Sequence, residues 1–163
     1  MNVWDTTAVK VSMAADSGAA LSDAVKLRKN ILIMTETAEK AVLEPADPGG
    51  WSHDLRAALA VRIALLNDCP ALATHYRAAI GSTNLTVVAD PTSQNVPDEL
   101  KHCIAFVDSV ATEPANITEA DIRSLQDAGV ADADIVRLSE LNAFLAYQIR
   151  LVAGLSLMTE TEA

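Results

Sequence analysis

Aromatic residues are scarce in this chain: Phe, Trp and Tyr make up only 4% of it, although half of its 163 residues are hydrophobic. The core must therefore be built from Ala, Leu, Val and Ile, and this composition favours helices over strands. The high apolar content argues against intrinsic disorder, and the length suits a single domain.

Basic residues are also scarce, with 12 Lys and Arg against 22 Asp and Glu, which gives a formal charge of −10. A chain this acidic repels nucleic-acid phosphates and anionic lipids, so we expect neither nucleic acid nor a membrane as a partner. The two cysteines are too few for a disulfide framework. We see no secretory signal and no apolar run of about 20 residues, which predicts a cytoplasmic protein.

Apolar residues recur at helical spacing in several segments separated by Pro and Gly. The predicted helices run approximately over 21–43, 52–67, 70–80, 97–111 and 119–128, and the last runs from Asp132 or Asp134 to about 158. The pattern therefore predicts an all-α bundle of five or six helices over residues 20–160, preceded by an N-terminal arm, 1–19, that packing orders in part. Leu85–Val88 is the only strand-like run.

Residue types at the predicted helix starts indicate caps. Ser17 or Ser22 is placed to cap the first helix, and Ser52 the second. Pro70 suits the first position of a new helix. Thr118 and Asp121 resemble a capping box. The last helix is apolar over two adjacent stripes, which is typical of a central helix or of a subunit interface.

Several sequence features argue against common kinds of site. The three histidines form no metal-ligand cluster, and the six glycines form no phosphate-binding loop, so we expect no metal and no cofactor. Paired carboxylates occur, and we interpret them as solvated surface because the chain is so acidic. The pairs are Glu36 with Glu39, Asp98 with Glu99, and Glu119 with Asp121.

The segment from Asn67 to Tyr76 carries the strongest chemical signal. Cys69 immediately precedes Pro70, so the positive end of a helix dipole would stabilise its thiolate, while Asp68 opposes this. His75 lies six residues further on, about 120° away on a continuous helix, so direct contact with Cys69 requires an irregular backbone. From the residues alone, a small buried cysteine is the favoured interpretation.

The stretch from Trp51 to Ile80 resembles the carboxymuconolactone decarboxylase superfamily, which includes the alkylhydroperoxidase AhpD. The family pattern is a helix with an Arg-Glu pair, then Cys-x-x-Cys, then a His four residues later. Here Arg56 matches the arginine and Cys69 the first cysteine. Ala57, Leu72 and Tyr76 stand at the glutamate, second cysteine and histidine positions, with His75 one residue early. The resemblance extends over about 20–158.

This resemblance implies an AhpD-like bundle and a homo-oligomer. It implies a peroxidase-related oxidoreductase that uses Cys69 and His75, with Arg56 and Tyr76 as binding residues and an external thiol in place of the second cysteine. In the family, a Glu and a His relay protons and lower the pKa of one cysteine. Because Ala57 replaces that glutamate, the relay is incomplete here, and whether the chain is an enzyme stays open. One alternative is a structural or partner subunit of a paralogue that has the intact Cys-x-x-Cys. Another is a small-molecule-binding bundle with Arg56, His75 or Tyr76 as its polar groups.

Overall fold

The computed structural model describes residues 1–13, 23 and 25–160, and its regular structure there is entirely helical. This confirms the all-α prediction. The α-helices are α1 (Thr7–Met13), α2 (Lys29–Leu43), α3 (His53–Leu66), α4 (Pro70–Arg77), α5 (Thr86–Ala89), α6 (Lys101–Thr112), α7 (Glu119–Asp127) and α8 (Asp132–Glu160). Short 3-10 helices cover Val3–Asp5, Thr83–Leu85, Asp98–Leu100 and Pro114–Asn116.

The centre of the bundle is α3, in which every residue from Leu55 to Ala64 is buried. Its alanines allow α4, α5, α6 and α8 to pack around it. A helix surrounded in this way needs no polar face, which explains why the segment is rich in Ala, Leu, Val and Ile. The second long apolar helix, α8, packs against α1, α2, α3 and α6.

Three of the predicted helix starts are confirmed, whereas the helix predicted from residue 97 begins as the 3-10 helix Asp98–Leu100 and continues as α6. The Ser52 hydroxyl accepts a hydrogen bond from the Leu55 amide at 3.2 Å, and Pro70 is the first residue of α4. Thr118 and Asp121 form the capping box before α7. The proposed caps Ser17 and Ser22 lie outside the described residues, as does the predicted beginning of the first helix at Leu21.

The strand-like interpretation of Leu85–Val88 is wrong, because the run ends a 3-10 helix and begins the four-residue helix α5. Val88 and Ala89 are buried against the bundle. The Arg62 guanidinium of α3 donates hydrogen bonds to the carbonyl oxygens of Val88 at 3.2 Å and Asp90 at 2.8 Å. These carbonyls are thus satisfied by a side chain, and the segment does not need a neighbouring strand.

The N-terminal arm is tied into the bundle as far as the structure describes it. Val3, Thr6, Ala8 and Val9 are buried, and α1 packs against α2, α4 and α8. Residues 14–19 of the predicted arm lie outside the described residues. Helix α1 also forms one side of a cavity in the bundle.

Helix α8 meets the length and composition of a membrane span, although the sequence analysis predicted none; it is the one helix to do so among the described residues. About 39% of an apolar 18-residue stretch of α8 is buried within the bundle. Core helices of soluble proteins have the same length and composition. In α8 the buried stripe includes the polar side chains of Asn142 and Gln148, which face the other helices.

Candidate functional site

A cavity of about 310 Å³ lies where α1, α2, α3 and α4 meet. Polar groups line it from three helices: Thr7 of α1, Glu36 and Glu39 of α2, and His75 and Tyr76 of α4. Leu43, Ala57 and Ala79 supply apolar wall. A concave, partly apolar space with a few converging polar groups is the usual form of a small-molecule site.

The most unusual side chain in the cavity is Glu39, which is only 5% exposed. One carboxylate oxygen, Oε2, accepts a hydrogen bond from Gln148 Nε2 at 3.1 Å. Burial, followed by the negative charge of Glu36, raises the pKa of Glu39 from 4.5 to about 7, while polar contacts with Tyr76, Thr7 and Gln148 oppose the rise. Near neutral pH this carboxyl therefore exists in both protonation states.

His75 lies next to Glu39 and is held by α1. Its Nε2 is 3.3 Å from the Thr7 hydroxyl and 3.9 Å from Glu39 Oε1. Burial lowers the pKa of His75 below 6.5; Glu36 acts in the opposite direction and Lys10 in the same direction. At pH 7 the imidazole is therefore mainly neutral while Glu39 is partly protonated, and the two titratable groups lie side by side.

Tyr76 contributes a hydroxyl without a partner. The residue is 2% exposed, and its hydroxyl lies beside Glu39 and Gln148. Among the described residues, however, the hydroxyl meets no partner at hydrogen-bonding geometry. Burial first, and Glu39 second, raise the pKa of Tyr76, which keeps the hydroxyl protonated. A buried hydroxyl that lacks a partner costs stability, so this position requires a physical explanation.

Of the residues predicted from sequence, the structure brings His75 and Tyr76 together in the cavity and places Arg56 elsewhere. The buried guanidinium of Arg56 donates to the carbonyl oxygens of Trp51 at 3.0 Å, Val42 at 2.9 Å and Pro48 at 3.0 Å. Burial lowers its pKa. Arg56 therefore anchors the loop between α2 and α3, where it satisfies three backbone carbonyls.

Cys69 lies outside the lining of this cavity. It is the residue before α4, it is half-buried, and its thiol is free. The preceding Asp68 adopts a left-handed conformation with φ of 54°, so the backbone is irregular here. The irregularity does not direct His75 to Cys69, since the imidazole contacts Thr7. Cys103 is also free, and burial raises its pKa.

The interpretation of Glu36 and Glu39 as solvated surface is wrong for Glu39. The buried face of α2 consists of Leu32, Thr35 and Glu39, whereas the apolar residues Ile31 and Ala38 are exposed. Thr35 lies three residues after Leu32, and Glu39 lies four residues after Thr35. This helical spacing was a signal that Glu39 shares the buried face of α2. The covering residues come from the arm, which has no periodicity, and from Gln148, which is 109 positions away. Sequence patterns did not indicate either neighbour.

Among residues 1–13, 23 and 25–160, no group of three or more His, Cys, Asp and Glu side chains is arranged to hold a metal ion. Comparisons with protein-family models, curated proteins and solved structures found no match for this chain. The resemblance to the carboxymuconolactone decarboxylase superfamily therefore stays a prediction.

Proposed function

We propose that this protein binds a small organic molecule in the cavity between α1, α2, α3 and α4, and that Glu39 and His75 transfer protons to and from it. The observation that carries the proposal is the buried Glu39 carboxyl, with Oε1 3.9 Å from His75 Nε2, at the wall of a cavity of about 310 Å³. Among the alternatives drawn from the sequence, this is the small-molecule-binding bundle, with His75 and Tyr76 retained and Arg56 removed from the site.

The protonation states support acid–base chemistry. A general acid or base is most effective when its pKa lies near the working pH. Glu39, with a pKa of about 7, can accept or donate a proton there, and the neutral His75 can accept one. Neutral His75 can therefore take a proton from one position of the ligand while protonated Glu39 gives one to another, which leaves an imidazolium beside a carboxylate. Return of the proton from His75 to Glu39 then restores the pair without net proton uptake.

A purely structural role explains the arrangement less well. Burying a carboxyl group and leaving a neighbouring tyrosine hydroxyl unpaired both cost stability. An apolar residue at position 39 would avoid the first cost and a phenylalanine at position 76 the second. Titratable groups with strongly altered pKa values concentrate at functional sites, because stability is sacrificed there for chemistry.

The proposal is tested by fragment binding to a cavity-filled variant. In Ala57→Met a larger side chain enters the cavity from α3; in the matched control Ala105→Met the same substitution is made on the exposed face of α6. We expect fragments that shift the amide resonances of Thr7 and His75 in the wild type and in Ala105→Met to lose binding in Ala57→Met. Binding that is equal in all three chains, or no fragment that shifts these resonances, would contradict the proposal.

The Cys69 oxidoreductase is a second candidate, favoured by a free, half-buried thiol just before α4. It requires an external thiol, because Leu72 occupies the position of a second cysteine. Replacement of Cys69 by Ser would abolish hydroperoxide consumption under this hypothesis and would leave fragment binding in the cavity intact. The two functions are therefore separable in one set of variants.

The predicted homo-oligomer, and the predicted association with a paralogue, also stay predictions. Exposed apolar side chains on α2 and α8 offer surface for such contacts. They are Ile31, Met34, Val136, Tyr147 and Leu157. Sedimentation of the purified chain would measure self-association directly.

A further inference from the structure

The charges of the cavity differ between its inner wall and its mouth. At the mouth, the exposed Lys10 is paired with Asp5 at 3.6 Å, and Lys40 and Glu44 are exposed. Both lining lysines, Lys10 and Lys40, are exposed, whereas Glu36 is half-buried and Glu39 is buried. The inner wall therefore carries negative charge, in a chain whose formal charge is −10.

The inner wall also offers more acceptors than donors. Each carboxylate uses one oxygen in a hydrogen bond to the protein: Glu36 Oε2 accepts from the Thr7 amide at 2.7 Å, and Glu39 Oε2 accepts from Gln148 Nε2 at 3.1 Å. The other oxygen of Glu39 is 3.9 Å from His75 Nε2, too far for a hydrogen bond. The buried hydroxyl of Tyr76, which lies beside Glu39 and Gln148 but meets no partner at hydrogen-bonding geometry among the described residues, adds a further oxygen.

A ligand complementary to this wall carries positive charge and several N–H donors. We propose that the molecule bound in the cavity is a primary amine, with its ammonium group against Glu36, Glu39 and Tyr76 and its hydrocarbon part against Leu43, Ala57 and Ala79. This inference rests on the proposed function and specifies its substrate class. An ammonium has three donors and no acceptor, which suits a wall of carboxylate and hydroxyl oxygens.

The charged groups around Glu39 explain why a cation suits this position. Glu36 on the same helix repels the ionised form of Glu39, and burial disfavours it further. From α1, Lys10 is exposed and paired with Asp5, and from α3, His53 is exposed and contacts the Pro45 carbonyl oxygen. From α4, the protonated Tyr76 adds no charge and His75 is mainly neutral at pH 7, and from α8 Gln148 is uncharged. An ammonium between the two carboxylates would replace their repulsion by attraction, and Glu39 would then be ionised and ready to accept a proton.

The test compares probes of equal shape and different charge. The first series is butylamine, butanol and butyrate, and the second is benzylamine, benzyl alcohol and benzoate, each at millimolar concentration with the full chain. Binding is measured by calorimetry and by the amide shifts of Thr7 and His75. We expect the amine to bind most tightly and the carboxylate most weakly in both series.

Substitutions of the two glutamates and changes of pH show whether the amine binds in this cavity. Replacement of Glu36 by Gln, or of Glu39 by Gln, should weaken amine binding about tenfold or more, because each removes one charge-assisted contact. The control Glu99→Gln, an exposed carboxylate outside the cavity, should bind as the wild type does. Amine binding should be about tenfold tighter at pH 8 than at pH 6, since Glu39 must ionise. His75→Gln should retain this pH dependence and Glu39→Gln should lose it.

Thermal unfolding of each variant verifies that it is folded. If an alcohol or a carboxylate binds as tightly as the matching amine, the substrate class is overturned and the proposed small-molecule site stands. If the amines bind equally to the wild type, Glu36→Gln and Glu39→Gln, they bind elsewhere and the inference is overturned. If none of the six probes binds, the substrate class and the proposed function both fail.

Discussion

Replacement of Glu39 by Gln should stabilise the protein, and the gain should grow with pH. The substitution keeps the size of the side chain and an oxygen that can accept from Gln148 Nε2, but it removes the ionisable group. The pKa of Glu39 is raised from 4.5 to about 7, mainly by burial. The unfolded chain therefore releases this proton at a lower pH than the folded chain, and ionisation favours unfolding.

The size of the effect follows from the two pKa values. Below about pH 4.5 the carboxyl is protonated in both states and costs nothing, whereas above about pH 7 the full difference of about 3 kcal/mol opposes folding. Between about pH 5 and pH 8, the free energy of unfolding of the wild type should fall by roughly 2 to 3 kcal/mol relative to that of Glu39→Gln. The opposite contribution of His75, whose pKa is lowered, is present in both chains.

The assay is urea unfolding of both proteins across this pH range, with Glu99→Gln as the control for removal of an exposed carboxylate. The quantity of interest is the difference in the free energy of unfolding between each variant and the wild type. A difference for Glu39→Gln that stays constant with pH, or that shrinks as pH rises, would refute the argument, because it would mean that Glu39 ionises as freely in the folded chain as in the unfolded one.

Three further predictions concern single side chains. Tyr76→Phe removes a buried hydroxyl that meets no partner at hydrogen-bonding geometry among the described residues. Thermal unfolding should therefore occur at the same temperature or a higher one, and a loss above about 1 kcal/mol would show that the hydroxyl is paired. Arg62→Met breaks a bidentate ion pair with Asp108, in which the two hydrogen bonds are 2.6 and 2.7 Å long. The substitution should lower the free energy of unfolding in urea by about 3 kcal/mol, and adding Asp108→Leu to the same chain should restore part of this loss. Cys69 should be alkylated in the folded protein while Cys103, 3% exposed and with a raised pKa, reacts only on unfolding; equal rates would contradict the structure.

The local features of the fold were predictable from sequence because their causes are local. Ser52, Pro70 and the Thr118–Asp121 capping box act within one turn of the chain, and helix-period patterns indicated the six longer helices. The four-residue helix α5 was not predictable, since its carbonyls are satisfied by Arg62, more than 20 positions away. A β-branched run gives no sign of such a distant donor.

The candidate site was predictable only in part, and the reason is again distance along the chain. His75 and Tyr76 were identified because they lie within one unusual segment. Glu39 was assigned to the surface, since a glutamate beside another glutamate usually is solvated. Its burial depends on α1 and on Gln148, which meet α2 only in the folded bundle.

The sequence by itself determined the helical class of this protein, its acidity and the ends of several of its helices, because composition and contacts within a few residues control these properties. The tertiary structure alone decided that Arg56 anchors a loop, that Cys69 and His75 are held apart, and that a buried carboxyl, an imidazole and an unpaired hydroxyl share one cavity. Desolvation and charge act through space, so the pKa values on which the proposed chemistry depends exist only once the helices have packed.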